Sequence, residues 1–267
     1  MTDMRRLIGI VLLCLCVGVR AQSPHGNIHV AILGDSNTWI GGDDCSKARG
    51  WNKWFKEAFR PASCVSYARS GATWTNTEAT VVNMTENTGV LSDNNVIYNQ
   101  ILRLQNACKK GIQPNPNLIL VAAGTNDVWF PDKRPQAMSK TADEAFTYSD
   151  GFITQRPARE VLTLAESVRY GCEMLMESFP DAQIVLLTPL QTVAVDNATI
   201  HQAGDLIEQC GHRMGLHVIR QDLVGSVYSV RERVQRYATY DGTHTSETGA
   251  RRNGRMIARM VGEFLSF

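Results

Sequence analysis

The stretch Leu118-Ile119-Leu120-Val121-Ala122-Ala123, followed by Gly124-Thr125-Asn126-Asp127, decides the fold class. Six consecutive apolar residues between Pro116 and Gly124 are typical of a β-strand that is covered on both faces, as in a parallel sheet. Similar apolar runs alternate with amphipathic segments along the chain. Strands are predicted near residues 29–34, 63–67, 117–123, 183–188 and 216–220, and helices over 51–59, 94–110, 160–179, 197–214 and 246–264. This alternation predicts an α/β fold, in which a parallel sheet of about five strands carries helices on both faces.

Composition limits the classes of function. The 267 residues are 43% hydrophobic and 20% charged, which is typical of a globular protein and enough for one α/β domain. A net charge of +1 gives no electrostatic basis for binding nucleic acid or an anionic membrane. The sequence contains neither G-x-G-x-x-G nor a P-loop, so we expect no nucleotide cofactor. We also expect no metal, because the histidines outside the motifs below lack metal-ligand spacing: His25, His29, His201, His212 and His217.

The first 21 residues resemble a secretory signal peptide. Arg5 and Arg6 precede an apolar run over residues 7–19, and Val19-Arg20-Ala21 offers small residues for a cut before Gln22. We therefore expect a single domain over residues 22–267 that is secreted or periplasmic, with no stable membrane insertion of the mature chain. An uncleaved anchor helix is the alternative, and lipid anchoring at Cys14 or Cys16 is a weaker one.

Five cysteines remain after such a cut: Cys45, Cys64, Cys108, Cys172 and Cys210. Export permits disulfides, but five is an odd number and the spacings match no metal-ligand pattern. The sequence leaves one or two bridges open without pairing them, and buried free thiols are the alternative. It also leaves the oligomeric state open.

Three candidate functional residues follow three successive predicted strands. Ser36 follows the first strand, Gly71 the second and Asn126 the third. The carboxyl ends of parallel strands meet at one edge of a sheet, so these residues can converge. Near the C-terminus, His244 comes three residues after Asp241. A carboxylate at that spacing can hold Nδ1–H of the histidine while Nε2 faces outward, which is the arrangement that activates a serine nucleophile.

Together these segments resemble the SGNH, or GDSL, hydrolase superfamily. Its four blocks are matched in order by Gly34-Asp35-Ser36, Ser70-Gly71, Gly124-Thr125-Asn126-Asp127 and Asp241-Gly242-Thr243-His244. The second block of the family often carries an Asn and a Gly where this chain has Ser66 and Ala68. The resemblance implies a flavodoxin-like, three-layer α/β/α sandwich and hydrolysis of carboxylic esters through an acyl-enzyme intermediate, without a cofactor.

The resemblance also implies a role for each matched residue. Ser36 would be the nucleophile, His244 the general base and later acid, and Asp241 the residue that orients His244. The backbone N–H groups of Ser36 and Gly71 and the side chain of Asn126 would form the oxyanion hole. Asp35 is expected to cap the turn at Ser36, and Asp127 is expected to fix the Asn126 loop.

Three tryptophans suggest a substrate class. Trp39, Trp74 and Trp129 each lie three residues after a proposed site residue, so they are predicted to ring the pocket. A flat aromatic rim suits sugar rings, which favours a carbohydrate O-acetyl esterase acting on a small-molecule or polysaccharide ester. Packing of one or more of these rings beneath its loop is the alternative.

Two other functions stay open. The first is a lipase or acyl-thioesterase in which residues 128–159, a Pro-rich and polar stretch that we predict to be a rim or lid, form an apolar lid. The second is a carbohydrate-binding protein that keeps the fold but not the chemistry.

Overall fold

The computed structural model describes residues 25–85, 89–147 and 151–265. The predicted signal peptide, residues 1–21, lies outside them. The strands are β1 (His29–Gly34), β2 (Ser63–Ser66), β3 (Leu118–Ala122), β4 (Gln183–Leu187) and β5 (His217–Ile219). The helices are α1 (Ser36–Trp39), α2 (Trp51–Phe59), α3 (Ile97–Lys109), α4 (Thr125–Trp129), α5 (Ala142–Ala145), α6 (Leu164–Ser178), α7 (Asn197–Arg213), α8 (Gln221–Val224), α9 (Ser229–Val234) and α10 (Glu247–Phe264). Two 3₁₀ turns cover Ile153–Gln155 and Ala158–Glu160.

The five strands form one sheet in the order β2-β1-β3-β4-β5. Every neighbouring pair is parallel, which confirms the predicted α/β fold with a five-stranded parallel sheet. This is the flavodoxin-like order, in which the chain changes direction at β1 and builds the sheet outward from both sides of it. A crevice therefore opens at the carboxyl ends of β1 and β3, where ligands of such sheets bind.

Successive side chains of each strand point to opposite faces of the sheet and pack in two separate hydrophobic cores. Ala31 and Leu33 of β1 pack with α3, α6 and α7 on one face, whereas Val30 and Ile32 pack with α2 and α10 on the other. Helices α2 and α10 approach closely, because a Cβ on Gly254 would lie 2.2 Å from the Trp51 carbonyl oxygen. The expected three-layer α/β/α sandwich is thus confirmed.

Two short helices begin where the candidate site residues lie. Helix α1 starts at Ser36 directly after β1, and α4 starts at Thr125 after β3. The sequence predicted neither helix, since four or five residues are too few to show a helical period. Both helices therefore begin at the carboxyl edge of the sheet.

The segment 128–159 packs against helix α6. Ile153 and Ala158 form a small apolar cluster with Val161 and Tyr170, and the Arg134 side chain is buried. The segment thus has a core of its own, and its movement as a lid stays a prediction. Within the three described ranges, no helix is both long enough and apolar enough to cross a bilayer.

Candidate active site

The end of strand β1 is fixed by a buried amide. Gln100, on α3, accepts a hydrogen bond from the Gly34 N–H (2.8 Å) and donates one from Nε2 to the Gly34 carbonyl (2.9 Å). A Cβ on residue 34 would lie 2.6 Å from the Ala122 carbonyl oxygen, so glycine is needed where β1 and β3 approach. The Gln100 hydrogen bonds and the close approach to β3 thus fix the backbone at Gly34, two residues before Ser36.

Asp35 caps helix α1, as the sequence predicted. Its carboxylate accepts the Asn37 N–H at 3.1 Å, which satisfies one of the free donors at the helix start. Burial raises the pKa of this carboxyl to about 6, against the opposing effects of the Asn37 N–H, the nearby His244 and the Thr125 hydroxyl. Asp35 is therefore a carboxyl that sits beside the candidate histidine and is partly protonated near neutral pH.

Ser36, His244 and Asp241 form a continuous hydrogen-bonded chain. His244 Nε2 lies 2.9 Å from Ser36 Oγ, and His244 Nδ1 lies 2.6 Å from Asp241 Oδ2. The other carboxylate oxygen of Asp241 accepts the backbone N–H groups of Thr243 (2.9 Å) and His244 (2.7 Å). Burial alone would raise the pKa of Asp241, but these hydrogen bonds outweigh it and lower the pKa, so the carboxylate stays ionised. The arrangement can remove a proton from Ser36 and stabilise the resulting imidazolium.

Asn37 hydrogen-bonds the backbone on both sides of His244, a role that the sequence did not predict. Its Nδ2 donates to the Thr243 carbonyl (3.2 Å) and its Oδ1 accepts the Thr245 N–H (3.0 Å). These two backbone groups flank His244, so one buried side chain beside Ser36 brackets the histidine that contacts Ser36. The only signal in the sequence is the position of an amide directly after the serine.

Gly71 and Asn126 lie on neighbouring loops that are tied together. Asn126 Nδ2 donates to the Ala72 carbonyl at 3.0 Å, one residue after Gly71. Gly71 has φ +77°, and a Cβ there would lie 2.7 Å from Val90 Cγ1, so only glycine fits. Within the described residues, neither the Ser36 nor the Gly71 N–H donates a hydrogen bond, which leaves both available.

Asp127 fixes the loop that follows Gly71. Its carboxylate accepts the backbone N–H groups of Trp74 (3.1 Å) and Thr75 (2.8 Å) and the Thr75 hydroxyl (2.8 Å). Burial raises the pKa of Asp127, while the Thr75 hydrogen bonds and Arg134 oppose that rise. The sequence expectation was that Asp127 fixes the Asn126 loop, and the structure adds the partner loop that it holds.

The predicted rim of three tryptophans is wrong for Trp74. The Trp74 ring is only 2% exposed and packs in the core, where a Cβ on Gly171 of α6 would lie 2.9 Å from its Cζ3. Asp127 accepts the backbone N–H of this buried residue. Trp129 is half-buried and stacks on Phe130, whereas Trp39 is 45% exposed. Trp39 is thus the exposed ring of the three.

A tyrosine that the sequence reasoning missed completes the exposed aromatic surface. Tyr240 is 47% exposed and stacks on His244, with ring centroids 5.8 Å apart. The Arg49 guanidinium lies over the Tyr240 ring, 4.8 Å from its centroid. Trp39 and Arg49 both line an open groove of about 480 Å³ next to helix α1. The available signal was that Tyr240 directly precedes Asp241.

A second histidine–aspartate pair lies farther along the sheet. His201 Nδ1 is 2.8 Å from Asp222 Oδ2, and the Asp222 carboxylate also accepts hydrogen bonds from Arg220 and the Thr188 hydroxyl. In the described part of the chain, no three His, Cys, Asp or Glu side chains cluster as metal ligands would. The expectation that no metal takes part stays a prediction.

This fold and cluster define an α/β protein in which a serine at the sheet crevice is hydrogen-bonded to a histidine–aspartate pair. Residues 32–252 match the GDSL-like Lipase/Acylhydrolase family, so the chain belongs to that family and is a carboxylic ester hydrolase of the esterase/acylhydrolase type. The predicted SGNH, or GDSL, resemblance is confirmed. No curated protein matches the sequence significantly.

Solved structures share the fold at low sequence identity. A possible lipase from Chitinophaga pinensis is 14% identical with a TM-score of 0.56, over 89% of this chain and 99% of that one. A lipase/acylhydrolase from Enterococcus faecalis is 16% identical with a TM-score of 0.51, over 90% and 98%. A variant of an acetyl xylan esterase from Geobacillus stearothermophilus is 17% identical with a TM-score of 0.52, over 89% and 96%. At these identities the likeness concerns the fold alone.

Proposed function

We propose that this protein hydrolyses carboxylic esters with Ser36 as nucleophile, His244 as general base and Asp241 as the residue that orients His244. The single observation that carries the proposal is the continuous hydrogen-bonded chain from Asp241 through His244 to Ser36. A serine hydroxyl is a weak nucleophile unless a base accepts its proton, and His244 Nε2 lies within reach to do so.

Acylation starts when Ser36 Oγ attacks the ester carbonyl carbon while its proton moves to His244 Nε2. The ionised Asp241 stabilises the imidazolium that forms. The carbonyl oxygen becomes an oxyanion, for which the Ser36 and Gly71 N–H groups and the Asn126 side chain are the proposed donors. Each such donor typically stabilises the transition state by about 3–4 kcal/mol. The intermediate collapses to acyl-Ser36, and His244 returns the proton to the leaving alcohol.

Deacylation repeats these steps with water. His244 removes a proton from a water molecule, which attacks the acyl carbon, and the same three donors stabilise the second oxyanion. His244 then returns the proton to Ser36 Oγ as the acid leaves. Apart from the ester and this water molecule, both proposed half-reactions use only groups of the chain.

Substitution of Ser36 tests this chemistry. Ser36→Ala is expected to lower kcat for hydrolysis of a nitrophenyl acetate by at least about 10³-fold, because the nucleophile is lost. The matched control is Ser46→Ala, a serine on the exposed loop beside Trp39, which should keep kcat within about twofold of the wild type. Wild-type turnover by Ser36→Ala would refute the proposal, whereas absence of hydrolysis by the wild type itself would favour the carbohydrate-binding alternative.

Among esters, we infer that O-acetylated carbohydrates are the preferred class. The support is two exposed aromatic rings near the candidate site: Trp39 ends helix α1, which begins at Ser36, and Tyr240 stacks on His244. Aromatic faces stack on sugar rings. The acetyl xylan esterase with the same fold is compatible with this inference but lies at only 17% identity.

Trp39→Ala tests the inferred substrate class. Loss of a stacking ring should raise KM for an acetylated xylo-oligosaccharide by about tenfold and leave kcat/KM for nitrophenyl acetate within about twofold. Trp129→Ala serves as the matched control on a half-buried ring. A parallel loss on both substrates would show that Trp39 supports the site and does not bind the sugar.

An acylhydrolase for longer chains is the second candidate. The exposed Met138 and Phe152 on the segment 128–159 favour it, because they offer apolar surface to an acyl chain. A series of nitrophenyl esters with two to twelve acyl carbons distinguishes the candidates. Highest kcat/KM at two carbons supports the acetyl esterase, and a maximum at eight or more carbons supports the lipase-type enzyme.

We further propose that residues 1–21 are removed on export, leaving a single domain over residues 22–267. The support is the basic, apolar and small-residue order of that segment. Expression with the full sequence and determination of the N-terminus of the extracytoplasmic product is the test. A product that starts at Gln22 supports the proposal, and an intact N-terminus contradicts it.

A further inference from the structure

Two cysteines meet where a loop covers the edge of the sheet. We define the rim loop as residues 40–50, which join α1 to α2 and carry Cys45. Cys64 lies on β2, the edge strand. Cys45 Sγ and Cys64 Sγ are 3.6 Å apart, and both side chains are almost completely buried. These are sulfur atoms in contact across 19 residues of sequence, not a lone thiol.

Other contacts already dock the rim loop on β2 at the same place. The Ser66 N–H, at the end of β2, donates to the Asp43 carbonyl at 2.8 Å. Arg69 makes a two-pronged ion pair with the Asp43 carboxylate, with N–O distances of 2.8 and 3.3 Å. The contacts of Asp43 with Ser66 and Arg69 therefore hold the rim loop next to β2, where the two cysteines face each other.

From this geometry we propose that Cys45 and Cys64 form a disulfide when the protein folds in an oxidising compartment. A disulfide has an S–S distance of about 2.05 Å, so the two sulfur atoms need to approach by only about 1.5 Å. We expect side-chain rotations to supply that approach, since the two sulfur atoms are already in contact. The inference is independent of the proposed ester hydrolysis.

The bond forms by exchange with a small-molecule or protein disulfide. The thiolate of one cysteine attacks the donor disulfide, forms a mixed disulfide and releases one thiol of the donor. The second cysteine then attacks the protein sulfur of that mixed disulfide and releases the other donor thiol. Two cysteine thiols are oxidised, the donor disulfide is reduced by two electrons, and the two protons end on the released thiols.

Burial determines when the exchange takes place. A hydrogen bond to Cys45 and burial raise the pKa of the Cys64 thiol, so few thiolates exist once the loop is docked. Both side chains are also almost completely buried, so a donor disulfide cannot reach them once the rim loop is docked, and we expect the exchange to occur during folding. Afterwards the same burial protects the bond from reductants.

The remaining cysteines are in other surroundings and stay thiols. Cys210 Sγ donates to the Ala165 carbonyl, and burial raises the pKa of this thiol to about 12. Cys172 is fully buried on α6, and burial also raises its pKa. Cys108, on α3, is half-buried and donates to the Pro114 carbonyl. We thus propose one bridge, Cys45–Cys64, among the pairings that the sequence left open.

The bridge would support the rim of the candidate active site. The rim loop starts next to Trp39, and its Arg49 carbonyl accepts the Thr245 hydroxyl at 2.7 Å, beside His244. Cys45 itself has φ 56°, a left-handed conformation that residues with a side chain rarely adopt. A covalent bond at this residue fixes the middle of a loop whose two ends border the site.

The test starts from one batch of reduced, unfolded protein. Half is refolded with a mixture of oxidised and reduced glutathione, and half with excess phosphine reductant. Both are then unfolded, alkylated and digested with trypsin, which cuts after Lys47, Lys56 and Arg69. In the oxidised sample we expect the peptide that ends at Lys47 joined to residues 57–69, with no alkylation of Cys45 or Cys64.

Thermal unfolding supplies the second readout. The oxidised wild type should melt about 5–10 °C above the reduced wild type, because the cross-link restricts the unfolded chain. Cys108→Ser should keep this difference, whereas Cys45→Ser and Cys64→Ser should lose it, whatever their own stability. Alkylation of both cysteines in the oxidised sample, or a redox difference in Tm that survives in Cys45→Ser, would overturn the proposal.

Discussion

The molecule contains two histidine–aspartate pairs with nearly the same contact and different surroundings. The Nδ1–carboxylate distance is 2.6 Å for His244–Asp241 and 2.8 Å for His201–Asp222. At the first pair the other ring nitrogen reaches Ser36 Oγ. At the second, no hydroxyl among the described residues lies within hydrogen-bond distance of His201 Nε2.

The two carboxylates differ even more than the histidines. Asp241 is partly exposed, and its other hydrogen bonds come from backbone N–H groups. Asp222 is fully buried and shares its oxygens with Arg220 and the Thr188 hydroxyl. Burial alone would raise the pKa of Asp222, but Arg220 and Thr188 outweigh it and lower the pKa. Its charge is already balanced by a fixed cation, so it cannot serve mainly to stabilise an imidazolium.

The contrast shows that a short histidine–aspartate contact is not by itself a catalytic signature. A catalytic pair also needs a nucleophile within hydrogen-bond distance of the second ring nitrogen, and a carboxylate whose charge is not already neutralised by another cation. The pair at His201 instead holds the turn after β5 against α7, because Arg220 also bonds Glu208 of that helix. We therefore expect the two pairs to respond oppositely to the same substitutions.

The largest expected effect separates the two histidines. His244→Ala should lower kcat for nitrophenyl acetate by about 10³–10⁵-fold, because Ser36 loses its base. His201→Ala should keep kcat within about threefold, since its ring does not contact the serine. Steady-state kinetics of both purified variants give the answer. Equal losses in the two variants would remove the distinction between the pairs.

The second prediction compares the two aspartates by their contribution to stability. Asp222→Asn should destabilise the fold by about 3 kcal/mol, because Arg220 loses its buried partner, and Tm should fall by about 6–12 °C. Asp241→Asn should cost less than about 1 kcal/mol because this carboxylate is partly exposed, yet lower kcat strongly. Urea unfolding monitored beside kinetics tests both. A stable Asp222→Asn protein would contradict a structural role for that pair.

The third prediction concerns Asp35, the buried carboxyl near the proposed catalytic pair His244–Asp241. Its folded pKa of about 6 is above the value of 3.8 for a free carboxyl, so the native state binds more protons between these pH values. Its contribution to stability therefore falls as the pH rises through that window. Asp35→Asn removes the cost and should be more stable than the wild type at pH 7.5, by at most about 3 kcal/mol.

The pH dependence supplies the control for Asp35. The gain should vanish below about pH 4, where the wild-type carboxyl is protonated in both states. Asp44→Asn, on an exposed aspartate of the rim loop, should show no gain at pH 7.5, because the hydrogen bond from the Ser46 hydroxyl lowers the pKa of the Asp44 carboxyl. A constant difference between wild type and Asp35→Asn at every pH would mean that lost hydrogen bonds, and not the charge, dominate.

The fourth and smallest effect tests how His244, the proposed general base, is positioned. Asn37→Ala removes both hydrogen bonds that bracket His244 and should lower kcat by about 10–100-fold with little change in KM, since the histidine is displaced and not lost. Asn117→Ala, which removes an amide that accepts the His29 N–H at the opposite end of the sheet, is the matched control. An unchanged kcat in Asn37→Ala would show that Asp241 alone positions His244.

The fold could be predicted because buried parallel strands leave uninterrupted apolar runs, and all five observed strands lie within the predicted ones. The order of strands came only from the family resemblance, since apolar runs do not encode neighbours. Asn37 and Gln100 escaped prediction for a related reason. Their partners lie 206 and 66 residues away, and an isolated amide carries no pattern.

The tryptophans show the limit of reasoning from spacing. Trp39 and Trp74 stand at the same distance from their site residues, yet one is exposed and the other is in the core. Asp127, which follows β3, accepts the backbone N–H of Trp74, and the Trp74 ring packs against Gly171 of α6. Such a contact depends on the packed sheet, so no local pattern predicts it.

The most direct test of the central claim is covalent labelling with a fluorophosphonate, which reacts with an activated serine. We expect one label per chain, located by fragmentation at Ser36, with no label in Ser36→Ala and strongly slowed labelling in His244→Ala. His201→Ala should be labelled at the wild-type rate. A label on any other residue, or an equal rate in His244→Ala, would contradict the claim that His244 activates Ser36.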